Sequence, residues 1–190
     1  MLRRSLLLTA VMLASGGVAR GDALIDRLCQ GGLCLLLRHA HTEPGTGDPP
    51  GFRLDDCATQ RNLDAVGRSQ ARAIGERLKQ LRVPVGRVWS SAWCRCRETA
   101  ELIGYGPVQH YPPLDSFFED RSRADQQRTD MLAFIWDWRG PGNALLVTHQ
   151  VNITAVAQVL PRSGEIVVMT PAAGMLGRLP PPQPGEVDAW

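Results

Sequence analysis

Two segments of the chain are apolar almost without a break. Leu33-Cys34-Leu35-Leu36-Leu37 and Asn143-Ala144-Leu145-Leu146-Val147-Thr148 are each five or six residues long. Runs of that length predict strands covered on both faces. Between them Leu63, Ala71, Ile74, Leu78 and Leu81 recur at helical spacing, predicting an amphipathic helix from about Asp64 to Leu81. Pro84 and Gly86 punctuate its end. Arg87 to Ser90 reads as a short strand, Ala92 to Ile103 as a helix and Pro107 to Tyr111 as another short strand. Ser122 to Trp138 reads as a helix with Met131, Phe134, Ile135 and Trp138 on its apolar side, closed by Gly140-Pro141-Gly142. Val151 to Leu160 follows as a short apolar helix, and Glu165 to Met169 and Met175 to Leu179 as closing strands. Alternating strands and helices predict an α/β fold. It is a three-layer sandwich, a largely parallel central sheet with helices on both faces. No repeat or linker divides residues 22–179, which read as one domain.

The two ends differ from this body. Met1-Leu2-Arg3-Arg4 is positively charged, Ser5 to Val18 is apolar and small, and Gly16, Gly17, Ala19 and Gly21 follow. That is the pattern of a secretory signal peptide over residues 1–21, cleaved after Ala19 or Gly21. The apolar stretch is short for a membrane span. The expectation is a protein of the periplasm or outside the cell, with no stable membrane insertion after cleavage. Residues 180–190 read as an irregular Pro-rich tail.

Composition narrows the function classes. With 190 residues, 44% hydrophobic and 21% charged, the chain fits an ordinary globular domain. The formal net charge is +2; loss of Arg3, Arg4 and Arg20 with a leader takes it to −1. No basic stripe remains of the kind that nucleic acid requires. The five cysteines are Cys29, Cys34, Cys57, Cys94 and Cys96. In an oxidising compartment some of them pair, and Cys57 with Cys94 or Cys96 is the plausible bridge. There is no Cys-x-x-Cys and no neighbouring His pair, so no zinc site is expected.

The candidate chemistry sits at strand ends, where ligands of doubly wound sheets bind. Arg38-His39 follows the first buried strand, Ser90-Ser91 leads to Arg95, and His149 follows the second buried strand. Two histidines and two arginines from distant parts of the chain are thereby expected to converge.

These segments resemble the histidine phosphatase superfamily, the phosphoglycerate mutase-like enzymes. Arg38-His39-Ala40-His41-Thr42 resembles its Arg-His-Gly-x-Thr signature. Ser90-Ser91-Ala92-Trp93-Cys94-Arg95-Cys96-Arg97-Glu98-Thr99-Ala100 resembles its Ser-Ser-Pro-x-x-Arg-Ala-x-Glu-Thr-Ala segment. Leu145-Leu146-Val147-Thr148-His149 resembles the strand carrying its second histidine, and Asn62 to Ala71 the helix start after the catalytic loop. The resemblance implies that His39 is the nucleophile that becomes phosphohistidine. It also implies that Arg38, Arg95 and His149 hold the phosphate. Fixed cations around a phosphoryl group in flight lower its barrier, and the planar fork of arginine matches phosphate oxygens. No metal or other cofactor is implied.

The remaining assignments are open at this level. Thr42 either binds phosphate or braces the turn, Arg61 is a further candidate for the pocket, and His41 and His110 read as loop and sheet-edge residues. A proton donor for the leaving group is sought in Leu114-Asp115-Ser116-Phe117-Phe118-Glu119-Asp120, with Asp115 favoured over Glu119 and Asp120. Two positions depart from the family pattern. Ala40 replaces glycine, adding a methyl beside the turn, and Ala92 replaces proline. The domain has no room for a large cap insertion, which points to an open site. The expected partner is a phosphorylated small molecule or an envelope glycan phosphate, such as a lipopolysaccharide-core sugar phosphate. The alternative from a different class is a non-catalytic phosphate-binding module of the same fold.

Overall fold

The computed structural model describes residues 18–172 and 174–182. The expected leader lies largely outside the described residues, as does most of the Pro-rich tail. The first element is a helix the apolar pattern did not announce, α1 (Val18–Cys29), whose Leu24, Ile25 and Leu28 meet the core. Six strands follow: β1 (Cys34–Arg38), β2 (Val85–Ser90), β3 (Val108–His110), β4 (Asn143–Thr148), β5 (Ile166–Thr170) and β6 (Gly174–Leu179). Between them run α2 (Ala65–Gln80), α3 (Cys94–Ile103), α4 (Ala124–Asp137) and α5 (Gln150–Ala157).

The strands form one sheet in the order β3-β2-β4-β1-β5-β6. β1, β2, β3 and β4 are mutually parallel, while β5 and β6 are antiparallel additions at one side. The architecture is therefore the expected α/β sandwich, with a mostly parallel mixed sheet. Alternation along β1 shows how the continuous apolar runs are used. Leu35 and Leu37 face a core with α1, α2 and α3, whereas Cys34 and Leu36 face one with α4 and α5. Both faces are dry, so no position of β1 or β4 tolerates a polar side chain without a partner. Asn143, fully buried, has three: its amide donates to the Leu28 and Pro84 carbonyls and accepts from Leu33 N.

Parallel pairing aligns the carboxyl ends of β1, β2 and β4. Arg38 stands opposite Thr148, and Ser90 opposite Val147. The residues just beyond, His39, Ser91 and His149, consequently emerge side by side. The edges of this platform are fixed by backbone. His39 N donates to Thr148 O at 2.9 Å, and Ser91 N to Val147 O at 3.0 Å.

Candidate active site

The two histidines lie with ring centroids 5.5 Å apart at the floor of a cavity of about 280 Å3. Arg38, Arg61 and Arg95 line the same cavity, with Asp48, Trp93, Phe118 and Glu119. Four residues singled out from the sequence, Arg38, His39, Arg95 and His149, are thus brought together. Arg61, one candidate among several at that level, joins them.

His39 is buried, and its Nδ1 lies 2.9 Å from the Ala40 carbonyl oxygen. A carbonyl only accepts, so Nδ1 carries the proton and Nε2 keeps its lone pair. Burial, reinforced by the charge of Arg95, holds this imidazole well below its ordinary pKa. His39 is therefore neutral near pH 7. The extra methyl of Ala40 crowds nothing in the cavity. It packs against Leu63 and Ala71, and Ala40 N donates to Thr99 Oγ1 at 3.1 Å.

His149 is buried too, and is pushed down by burial, then by Arg95 and His39. Its Nε2 shares a hydrogen bond of 2.8 Å with Ser91 Oγ and lies 3.4 Å from the Cys96 thiol. The Trp93 ring meets it edge-on at 5.2 Å. The buried Cys96 thiol is raised to about 12 by its burial, so it stays protonated and is no nucleophile.

The three arginines share one mode of attachment. Arg38 donates from Nη1 to Pro161 O at 2.9 Å. Arg61 donates from Nη1 to Thr42 Oγ1 at 2.8 Å and Gly45 O at 3.0 Å. Arg95 donates from Nη1 to Asp48 Oδ1 at 2.7 Å and from Nη2 to Asp48 Oδ2 at 3.1 Å. In all three the Nε–H is buried and has no partner. Three guanidinium groups lining one cavity give it the positive charge and the planar donors that suit an anion. Burial and mutual repulsion lower the pKa of Arg38 and Arg61, as expected of crowded cations, but arginine stays charged.

Two of the residues considered from the sequence lie away from the cavity lining. Asp115, favoured as proton donor, does not line the cavity. Its Oδ1 accepts from Ala92 N at 2.7 Å, and both oxygens lie within 3.2 Å of His110 Nε2. Ala92, where the family pattern has proline, supplies the backbone N–H that Asp115 accepts. Of the three carboxylates considered, Glu119 is the one at the cavity. Thr42 does not line the cavity either; it accepts from Arg61 and so braces an arginine. His41 pairs with Asp64 at 2.6 Å on the half-exposed start of α2, away from the cavity.

Asp48 and Trp93 carry no signal in the sequence that marks them as site residues, whereas Ser91 sits at one of the strand ends singled out there. Asp48 lies in the Gly/Pro-rich loop after β1, where no periodicity marks a position. A disulfide between Cys57 and Cys94, with Cα atoms 5.7 Å apart, joins this loop to the first residue of α3. It realises one of the two pairings open from the sequence, and Cys29, Cys34 and Cys96 remain free. Among the described residues no three or more His, Cys, Asp or Glu side chains are grouped to hold a metal, and no helix is long and apolar enough to cross a membrane.

Residues 34–143 match the model of the histidine phosphatase superfamily (branch 1). The chain belongs to this superfamily. Solved structures with the same fold include TTHB049 from Thermus thermophilus, at 20% identity and a TM-score of 0.55 over 78% of this chain and 99% of that one. The protein histidine phosphatase SixA, complexed with tungstate, aligns at 16% identity and 0.56 over 78% and 97%. A putative alpha-ribazole-5'-P phosphatase from Escherichia coli K-12 aligns at 18% and 0.54 over 73% and 90%. At these identities the likeness speaks for the fold alone. No curated protein matches the chain. The match includes Arg38, His39, Arg61 and Arg95 and ends six residues before His149.

Proposed function

We propose that the protein is a phosphatase that hydrolyses phosphomonoesters through a phosphohistidine on His39. The observation that carries this reading is the set of three arginines lining one cavity with a buried imidazole whose free nitrogen is Nε2. The arginines and His149 hold the phosphate oxygens. The Nε2 lone pair of His39 forms the P–N bond as the P–O bond to the leaving group breaks. The departing oxygen takes a proton from Glu119, the carboxyl group at the cavity that is free of an arginine. Water then attacks phosphorus, gives its proton to Glu119, and the P–N electron pair returns to Nε2. Three fixed positive charges offset the charge that spreads over the equatorial oxygens.

The cavity volume supports a compact phosphomonoester, with Trp93 and Phe118 as apolar walls for the leaving group. Envelope glycan phosphate remains within the reading only as a terminal group reaching in from outside. The Cys57–Cys94 bridge, together with the leader pattern of residues 1–21, supports action in an oxidising compartment, the periplasm or the cell exterior.

The test is phosphate release from phenyl phosphate by the purified protein beside His39→Ala, with and without chelator. Turnover abolished in the variant and indifferent to chelator is the expected result, with acid-labile phosphate trapped on the wild type. Binding of inorganic phosphate without any turnover would instead favour a non-catalytic phosphate-binding module.

A further inference from the structure

The mechanism above leaves unused a carboxylate at the cavity itself, Asp48. Asp48 and Arg95 form an ion pair with side chains each only 4% exposed. The pair is end-on: both Nη atoms of Arg95 face the two oxygens of Asp48. Asp48 has two further donors, Arg61 N on Oδ1 at 3.0 Å and Trp93 Nε1 on Oδ2 at 3.0 Å. Although burial works against it, Arg95 holds the carboxyl below the usual range, so it is charged whenever the enzyme is near neutrality.

Two roles are open to a carboxylate here. It is either a plug, occupying the arginine until phosphate displaces it, or a clamp, holding the arginine for phosphate. The hydrogen bonds decide between them. Withdrawal of Asp48 would strand the Trp93 indole and the Arg61 amide as well as Arg95, and phosphate at the histidines offers no replacement for the first two. The end-on grip also leaves the other edge of Arg95 untouched. Its Nε–H is buried and unpaired, and Nη2 has spent one proton of two. An arginine can hold one anion at its end and a second at its side.

We propose that Asp48 is a positioning residue: it clamps Arg95 end-on so that the Nε–Nη2 edge faces the phosphate. This rests on the phosphatase reading of the cavity. The same carboxylate fixes Trp93 and the backbone of Arg61, so one loop residue sets two of the three arginines and one wall. It also cancels one of three crowded positive charges, leaving a pocket of about +2 for a phosphate dianion.

The experiment is a double-mutant cycle read by calorimetric titration with inorganic phosphate and by kcat and KM on phenyl phosphate. The proteins are wild type, Asp48→Asn, Arg95→Ala and the double variant, with urea midpoints measured alongside. Loss of the clamp is expected to cost on the order of 10²-fold in kcat/KM, the size of a misplaced catalytic group. Phosphate affinity falls in parallel. In the Arg95→Ala background the same substitution changes phosphate affinity by less than about threefold, because there is no guanidinium left to position. Asp48→Glu keeps the charge and is expected to recover about tenfold of the loss; it also serves if Asp48→Asn does not fold. Tighter phosphate binding by Asp48→Asn would make Asp48 a plug and overturn the proposal. Losses that multiply in the double variant would reduce it to a general stabiliser, overturning it likewise. A wild type that binds phosphate without turnover ends the hydrolysis reading but leaves the cycle readable by affinity. One that binds no phosphate ends both.

Discussion

The backbone N–H of Ala92 donates to Asp115 Oδ1 at 2.7 Å, and this bond, with His110 beside it, engages a carboxylate that does not line the cavity. Both groups are sequestered, and Asp115 also lies against His110. Asp115→Ala therefore leaves a largely buried N–H unpaired at the entry to α3, at a cost of about 1–3 kcal/mol. Turnover by the molecules that remain folded should stay within a few-fold of wild type. Glu119→Gln should do the reverse, with an unchanged urea midpoint and kcat on an alkyl phosphate reduced by about 10²–10⁴-fold. The smaller loss with an aryl phosphate, whose leaving group needs less help, is the internal control. Should Asp115→Ala abolish turnover at full stability, the assignment returns to Asp115.

The histidines set the pH response. Both are held well below 6.5 in the folded state, chiefly by burial. Above pH 6.5 they are neutral in folded and unfolded chains alike. As pH falls below that, the unfolded chain takes up protons first. Stability is therefore lost on acidification at about 1.4 kcal/mol per pH unit for each histidine, until the folded pKa values are reached. Urea denaturation between pH 4 and 8 should show this slope, and the His39→Asn/His149→Asn protein should lack it. The acid limb of kcat/KM should likewise lie below pH 6.5, since a protonated His39 has no lone pair for phosphorus.

Why some of this was readable in sequence and some not follows from the kind of signal each residue leaves. β1 and β4 are short, mainly apolar runs covered on two faces, of a length that suits a strand rather than a helix, so His39 and His149 are placed by counting one residue past each end. Arg95 is placed by its segment. Asp48 obeys no period: its position depends on a loop path set by Pro49, Pro50 and the Cys57–Cys94 bridge, which is a long-range fact. Asp115 misled because closeness to a strand end says nothing about which neighbour claims a carboxylate. The claimant, Ala92 N, is a main-chain atom 23 residues away. α1 was missed because its apolar residues, Leu24, Ile25 and Leu28, make only one turn of pattern next to a segment that reads as a leader.

Gly67 links α2 to the catalytic loop by contact of backbones. A Cβ at this position would lie 1.9 Å from the carbonyl oxygen of His41, two residues after His39. Asp64 caps the same turn, accepting from Gly67 N at 2.7 Å. Gly67→Ala cannot be absorbed by a side-chain movement, so either α2 or the His39–His41 segment must shift. The expected cost is about 1–3 kcal/mol, the range of overpacked cores, together with a loss of phosphate affinity that a surface helix substitution would not give. Arg72→Ala on the same helix, exposed and remote from His41, is the control: its urea midpoint and phosphate affinity should match wild type.

The Cys57–Cys94 bridge closes a loop with a sequence separation of 37 and spans Arg61 within it. Cross-linking a loop of that length removes unfolded-state entropy worth about 4 kcal/mol. The bridge also holds the loop carrying Arg61 against the helix carrying Arg95, so its loss loosens the phosphate site before it unfolds the core. β1 and β4 pair with each other and owe nothing to the bridge. Cys57→Ser/Cys94→Ser, or wild type under reductant, should therefore show a lower urea midpoint and a raised KM while keeping its α/β circular dichroism spectrum. Reductant should leave the double variant unaffected. If reduced wild type keeps both its midpoint and its KM, the loop is held by Asp48, Gln60 and Arg61 alone, through the hydrogen bonds they make to α3 and its approach.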